Sequence, residues 1–363
     1  MSVLSSFRDS KRARPILERI QSRKGEPVSV MEFCGGHTVA IFKSGIRSVM
    51  PSHVSMLSGP GCPVCVTSNA DLDRAIALAK TEGVILTTYG DMLKVPGSHE
   101  SLAQVKAQGY AVQIVYSTLD ALKLAEEHPD KQIVFFAIGF ETTAPASAAA
   151  ILQAQARALK NFSICSVMKL TIPGAKALLS MGEVRVDGVI GPGHVSSIIG
   201  ADAWRFLPEE HGIPVAISGF EPVDLLAATD AILQMIEEKK PRLVNAYSRI
   251  VKPEGNRKAW GAVQQVFGLE ASSWRGFGEI PESGLVLRPE YAEFDANQRF
   301  DIVVEPTAEH PSCRCGEVLR GVVTPPECKV FGTACTPEHP LGPCMVSSEG
   351  SCAAYFHYQR QQV

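Results

Sequence analysis

The chain has 363 residues, more than one hydrophobic core comfortably serves at roughly 100 to 200 residues per domain, so two or three domains are expected. Hydrophobic residues make up 45% and charged residues 20%, which excludes a disordered or fibrous chain, and a net charge of −3 gives no electrostatic case for nucleic acid or an acidic membrane surface. The N-terminal stretch MSVLSSFRDSKRARPILERI holds no apolar run of signal-peptide length, and no later run approaches the roughly 18 apolar residues of a membrane span, so a cytoplasmic protein is expected.

From 28 to 219, short β-branched runs alternate with longer helical patterns, as in a parallel sheet with crossover helices. Strands are predicted at 28–33, 53–57, 84–88, 112–116, 132–138, 162–167, 188–190 and 214–218. Helices are predicted between them at 70–80, 101–107, 119–127, 147–159 and 173–181, and beyond them at 223–238, 241–251 and 257–267. Gly59–Pro60–Gly61–Cys62 is echoed by Gly191–Pro192–Gly193–His194, and Gly139–Phe140–Glu141 by Gly219–Phe220–Glu221. The echo predicts two α/β halves, with the break at His128–Pro129–Asp130. After 268 regular patterning fades, and such a loop-rich segment needs a staple, which metal binding would supply. The expected architecture is α/β: two parallel-sheet domains facing a cleft, at 1–128 and 129–240, and a loop- and helix-rich third domain at 241–363.

Ten cysteines in a reducing compartment point to metal or redox chemistry before a disulfide framework. Cys34, Cys62 and Cys65 lie early, Cys165 sits alone inside an apolar strand as inert core, and six crowd between Cys313 and Cys352. Cys34 opens Cys34–Gly35–Gly36–His37–Thr38 directly after a strand, where ligands bind in open α/β sheets and glycines permit close approach. A helix N-terminus and the His37 imidazole should favour its thiolate; the bland alternative is a small buried cysteine beside a tight turn. Cys62–Pro63–Val64–Cys65 also follows a strand, and two intervening residues let both sulfurs form a disulfide or share one metal. Cys34, His37, Cys62 and Cys65 together would satisfy tetrahedral zinc.

Glu141 and His194 end strands in the second half and suit proton transfer or support of a metal ligand, although such residues also serve as caps and turn anchors. Asp91 and Glu221 carry the same two readings. In the tail, Cys313, Cys315, Cys328, Cys335, Cys344 and Cys352 offer more than the four thiolates that an iron–sulfur cluster or a zinc ion takes, at spacings typical of neither. There is no G-x-x-x-x-G-K-[ST], no strand-following G-x-G-x-x-G and no H-E-x-x-H.

With these motifs assembled, and with Gly139–Phe140–Glu141–Thr142–Thr143, the run from Gly191 to Ser196 and the run from Met345 to Gly350 beside them, the sequence resembles the HypD family of hydrogenase maturation proteins from about Val28 onward. The resemblance implies two α/β domains and a third carrying a [4Fe–4S] cluster. It implies assembly of the Fe(CN)₂CO fragment of [NiFe]-hydrogenase, with HypC as small partner and cyanide delivered by HypE. On that resemblance Cys34 corresponds to the thiol that ligates the iron fragment, and Cys62 and Cys65 to a redox pair. Cys315, Cys328, Cys335 and Cys352 correspond to the cluster ligands, with Cys344 a substitute for one of them and Cys313 an extra. The expected protein is an assembly factor before it is an enzyme, with redox activity inside a complex, and monomeric when free. Competing readings are a thiol–disulfide oxidoreductase whose tail binds structural zinc, and a two-domain small-molecule binder.

Overall fold

The computed structural model of the chain describes residues 7–359; the first six residues of the stretch read for a signal lie outside them. Strands fall where continuous apolar runs predict them: β1 Val28–Glu32, β2 Val54–Ser58, β3 Val84–Thr88, β4 Val112–Ile114, β5 Gln132–Ala137, β6 Phe162–Ser166, β7 Gly188–Pro192 and β8 Val215–Ser218. Every residue of β7 and β8 is buried, as strands covered by helices on both faces require. The helices between them are set by local capping. In Asn69–Lys80, for example, Ser68 Oγ accepts from Asp71 N–H (3.2 Å) while Asp71 accepts from Ser68 N–H (3.4 Å).

Two parallel sheets result, one ordered β2-β1-β7-β8-β9 and the other β4-β3-β5-β6, where β9 is Leu243–Asn245. The chain lays down β1 and β2, leaves to build the whole second sheet, and returns for β7 to β9. The break expected at 128–130 therefore falls inside the second sheet, whose β3 pairs with β5 from Val84 opposite Gln132 onward. Nor do the echoed motifs mark equivalent halves: Gly59 follows β2 and Gly191 lies near the end of β7, both in the first sheet. Local pattern announces a strand but not its neighbours, and pairing is decided by long-range contacts.

Two further expectations are corrected. The segment 241–251 is not a helix: its first residues add β9 to the open edge of β8, with Val215 opposite Leu243, and a turn follows, fixed by Asn245 Nδ2 donating to Val251 O (2.8 Å). After 267 the chain forms an antiparallel hairpin, β10 Phe267–Trp274 and β11 Gly278–Leu287, with a bulge between Glu270 and Ser272. The inner residues of β10 are mostly exposed, so the alternation that betrays a strand is weak there. Trp274, at its end, is buried in one apolar cluster with Cys62, Cys65, Phe140, Cys315 and Cys344. Cys165 is fully buried in β6, as core.

Candidate functional site

The site is built from loops at the carboxyl ends of adjacent strands in the first sheet. β1 ends at Glu32, and Cys34 stands at the N-cap of helix Gly35–Lys43 with extended backbone. Its N–H donates to Glu32 Oε2 (2.8 Å), and the Thr38 hydroxyl donates to the other oxygen of the same buried carboxyl. β2 lies beside β1, and its loop brings Cys62 to the N-cap of helix Pro63–Val66. The loops touch through their backbones: Gly35 N–H donates to Gly61 O (3.1 Å) and Gly59 N–H to Glu32 O (2.8 Å). A Cβ on Gly61 would run into the backbone of Phe33 and Cys34. The glycine of this motif is thus required by the approach of one chain segment to another. Cys62 and Cys65 form a disulfide with Cα atoms 5.2 Å apart, both buried. Being bonded to each other, they do not complete the tetrahedral zinc set with Cys34 and His37.

The loops after β7 and β8 close the other side. His37 is fully buried, and its Nε2 donates toward Ser218 O (3.3 Å) and Gly219 O (3.1 Å); both partners are carbonyls, which fixes the proton on Nε2. Burial drives its pKa down to about 3, so the ring is neutral. Its Nδ1 is buried without a hydrogen-bond partner. The Phe220 ring lies 4.5 Å from His37 and stacks on the exposed His194 at 3.8 Å and 20°. A Cβ on Gly36 would stand 3.1 Å from Phe220 Cε1 and 3.6 Å from Cys34 Sγ, so Cys34, His37 and His194 gather around one aromatic ring.

Glu349 comes from the far end of the chain to the same place. A Cβ on Gly35 would lie 2.6 Å from Glu349 Cβ and 3.1 Å from its Oε2. Glu349 N–H donates to Ser347 Oγ (3.2 Å), which donates to Asp91 Oδ2 (3.3 Å). This surrounding reverses the expected thiolate. Burial first, then the Glu349 and Glu32 carboxyls, push the Cys34 thiol up to about 12, against the N–H groups of His37 and Gly36. Glu32 itself is pushed to about 8, by burial. Phe220 and Glu349 are visible in the sequence only as parts of motifs, the Gly-Phe-Glu echo and the Ser-Ser-Glu-Gly run. Glu32 carries no local signal.

Glu141 is not gathered with these residues. It follows β5 of the second sheet and accepts from Thr171 N–H (2.8 Å) and Thr171 Oγ1 (2.7 Å), tying its turn to the start of helix Thr171–Met181. Glu221 caps helix Pro222–Glu237 and binds Arg8 through two contacts of 2.6 and 2.9 Å.

The six tail thiols lie along one connected chain. Cys315 and Cys344 sulfurs are 2.8 Å apart, and the hydrogen bond between them holds Cys315 below the usual thiol range despite burial. Cys344 is driven well above that range by Cys315, by Cys352 and by burial. Cys313 is pushed to about 12 by burial and then by the neighbouring Cys315, with Cys352 and Cys335 adding to it. Leu341 N–H donates to Cys335 Sγ (3.4 Å), and Cys335 is raised by burial, with Cys352 and Cys328 nearby. Thiolates crowded in this way repel one another, and a bound cationic centre relieves that repulsion, so the donor set suits a metal group. Among the described residues no three His, Cys, Asp or Glu side chains are posed around a single ion. A cubane cluster, by contrast, spreads four thiolates over four irons. The Cys344 sulfur lies beside those of both Cys315 and Cys352. Helices Cys315–Leu319 and Pro343–Val346 both pack on Pro63–Val66, the helix of the disulfide.

Fold and site together define a thiol-centred α/β protein, in which two strand-end loops and a cysteine-rich tail meet on one helix. Known proteins make the class specific. A family profile described as "Hydrogenase formation hypA family" (HypD) matches residues 11–359. The chain is 46% identical to the hydrogenase maturation factor HypD of Azotobacter vinelandii, over all of this chain and 98% of that protein. It is 44% identical to HypD of Cupriavidus necator, over 99% of this chain and 98% of that protein. Against HypD of Escherichia coli K12 the identity is 40%, over all of this chain and 99% of that protein. The chain belongs to the HypD family of hydrogenase maturation factors, and its role lies in hydrogenase maturation. No helix among the described residues is long and apolar enough to cross a membrane.

Proposed function

We propose that this chain is the cytoplasmic scaffold and redox factor on which the Fe(CN)₂CO fragment of [NiFe]-hydrogenase is assembled, working with HypC and receiving cyanide from HypE. Cys34 ligates the iron fragment, and Cys62 and Cys65 are the redox pair. A [4Fe–4S] cluster is held by Cys315, Cys328, Cys335 and Cys352, with Cys344 able to take the place of one of them. What chiefly supports this reading is the backbone contact between the Cys34 and Cys62 loops, with the disulfide helix packed on the tail thiols.

The residues act as follows. Cys34 keeps its proton in the free protein, so a soft cation such as low-valent iron must displace it, and Glu349 and Glu32 then balance the added positive charge. His37, neutral and fixed by two carbonyls, holds the loop, while the His194 ring stacks on Phe220, where partial burial lowers its pKa. Reduction of Cys62–Cys65 breaks one S–S bond and takes up two electrons and two protons. A cluster in the tail would supply those electrons one at a time, drawn from an external low-potential donor.

Infrared spectroscopy of the protein purified with its HypC partner tests the reading, because metal-bound cyanide and carbonyl absorb where polypeptide is silent. The wild type should show such bands and Cys34→Ala should lack them. Bands of equal strength in Cys34→Ala would refute the anchoring role. The alternative, a thiol–disulfide oxidoreductase, draws on the same disulfide. Burial of both cysteines, at 3% and 0% exposure, disfavours attack by a protein substrate.

A further inference from the structure

The tip of the β10–β11 hairpin inserts between the disulfide helix and the tail. Arg275 N–H donates to Val66 O (2.9 Å) and its Nε to Thr67 O (3.2 Å), so the residue grips the end of the helix that Cys62 begins. One terminal nitrogen donates to Asn69 Oδ1, and the other faces Glu309 at 3.1 Å. The next residue, Gly276, has φ +80°, and a Cβ there would come 2.5 Å from Gly316 Cα, which presses the turn onto helix Cys315–Leu319. Arg320 donates to Gly276 O from the tail side. Arg275 is 4% exposed, so little water screens its charge, while the Glu309 side chain is 41% exposed.

We propose that Arg275 is a positioning residue for the thiol redox chemistry: it clamps the Cys62–Cys65 helix against the tail, and its fixed positive charge favours the reduced pair by stabilising a thiolate in it. The inference rests on the redox part of the function proposed above. Its physical basis is that a guanidinium stays charged at any pH the protein meets, so the bias is permanent. The step it biases is the opening of the Cys62–Cys65 bond. When glutathione is the reductant, two glutathione thiols give up two electrons and two protons to form oxidised glutathione, and the two cysteines receive them; one cysteine then releases its proton to solvent, and the resulting thiolate is the form that the guanidinium stabilises.

The full-length chain, without metal, is equilibrated in glutathione redox buffers, and the ratio of reduced to oxidised Cys62–Cys65 is read by alkylation and peptide mass spectrometry. Arg275→Gln should lower that ratio about tenfold, which for a two-electron couple is about 30 mV. Arg275→Lys, which keeps the charge, should stay close to wild type. Glu309→Gln, which removes the opposing charge from a part-exposed loop, should raise the ratio. An unchanged ratio in Arg275→Gln, or the same fall in Arg275→Lys, would overturn the proposal. Should Arg275→Gln fail to fold, Glu309→Gln decides: a ratio equal to or below wild type overturns it. The measurement needs neither iron nor partner, so its failure leaves the scaffold reading intact, and missing infrared bands would leave this ratio unmoved.

Discussion

Replacing Gly61 with Ala tests the contact on which the candidate site depends. The added Cβ would meet Cys34 N, Cys34 Cα and the Phe33 carbonyl carbon, all nearer than the 3.0 Å that real Cβ atoms keep. Overpacking costs about 1–3 kcal/mol even where flexible side chains can yield. Here the obstacles are backbone, pinned by Gly35 N–H to Gly61 O and by Gly59 N–H to Glu32 O, so the expected loss is about 3 kcal/mol, the upper end. At roughly 2–4 °C per kcal/mol for a large domain, the melting temperature should fall by about 6–12 °C. The Cys34 loop must also shift away from the Cys62 loop, so alkylation of Cys34 by iodoacetamide at pH 8 should accelerate. Gly261, inside helix Arg257–Val266 with no atom within 4 Å of where a Cβ would stand, is the control. Gly261→Ala should gain about 0.5–1 kcal/mol by stiffening the unfolded chain. A Gly61→Ala protein that melts with the wild type and alkylates at the same rate would refute the reasoning.

Three other outcomes are expected. Cys34, raised from 9.0 to about 12 by burial and then by Glu349 and Glu32, should alkylate slowly at pH 8, with a rate still climbing beyond pH 10; a plateau near pH 7 would contradict this. The same raised value makes its contribution to stability full below pH 9 and lost as pH rises through about 12. Glu32, raised from 4.5 to about 8 by burial, contributes stability that is full below pH 4.5 and lost as pH rises through about 8. The stability of wild type relative to Glu32→Gln, from urea midpoints, should therefore decline across that window, and a flat or rising difference would rule the reading out. Glu141→Ala strands two buried donors of Thr171 and should cost about 2–3 kcal/mol in urea unfolding; a loss no larger than that of a surface substitution would show the tie to be idle.

Much of this is legible in the chain because it is local. The apolar runs of β5, β7 and β8 and the Ser68–Asp71 capping box declare their elements within a few residues, and Gly-rich turns with Cys34, Cys62 and His37 mark strand ends. The hairpin escapes a reading of local pattern because most of β10 faces water. The helix expected at 241–251 does not form because an open sheet edge outweighs a weak local preference.

The sequence by itself determined which residues carry thiols, where strands end, and that six cysteines crowd the tail, since composition and short-range pattern encode these directly. Tertiary structure alone decided that β1 and β2 share a sheet with β7 to β9, that Phe220 and Glu349 reach Cys34 from distant parts of the chain, and that Cys34 keeps its proton. The reason is physical: pairing and protonation depend on what surrounds a group in space, and desolvation plus two carboxyls outweigh the helix N-terminus that the local sequence displays.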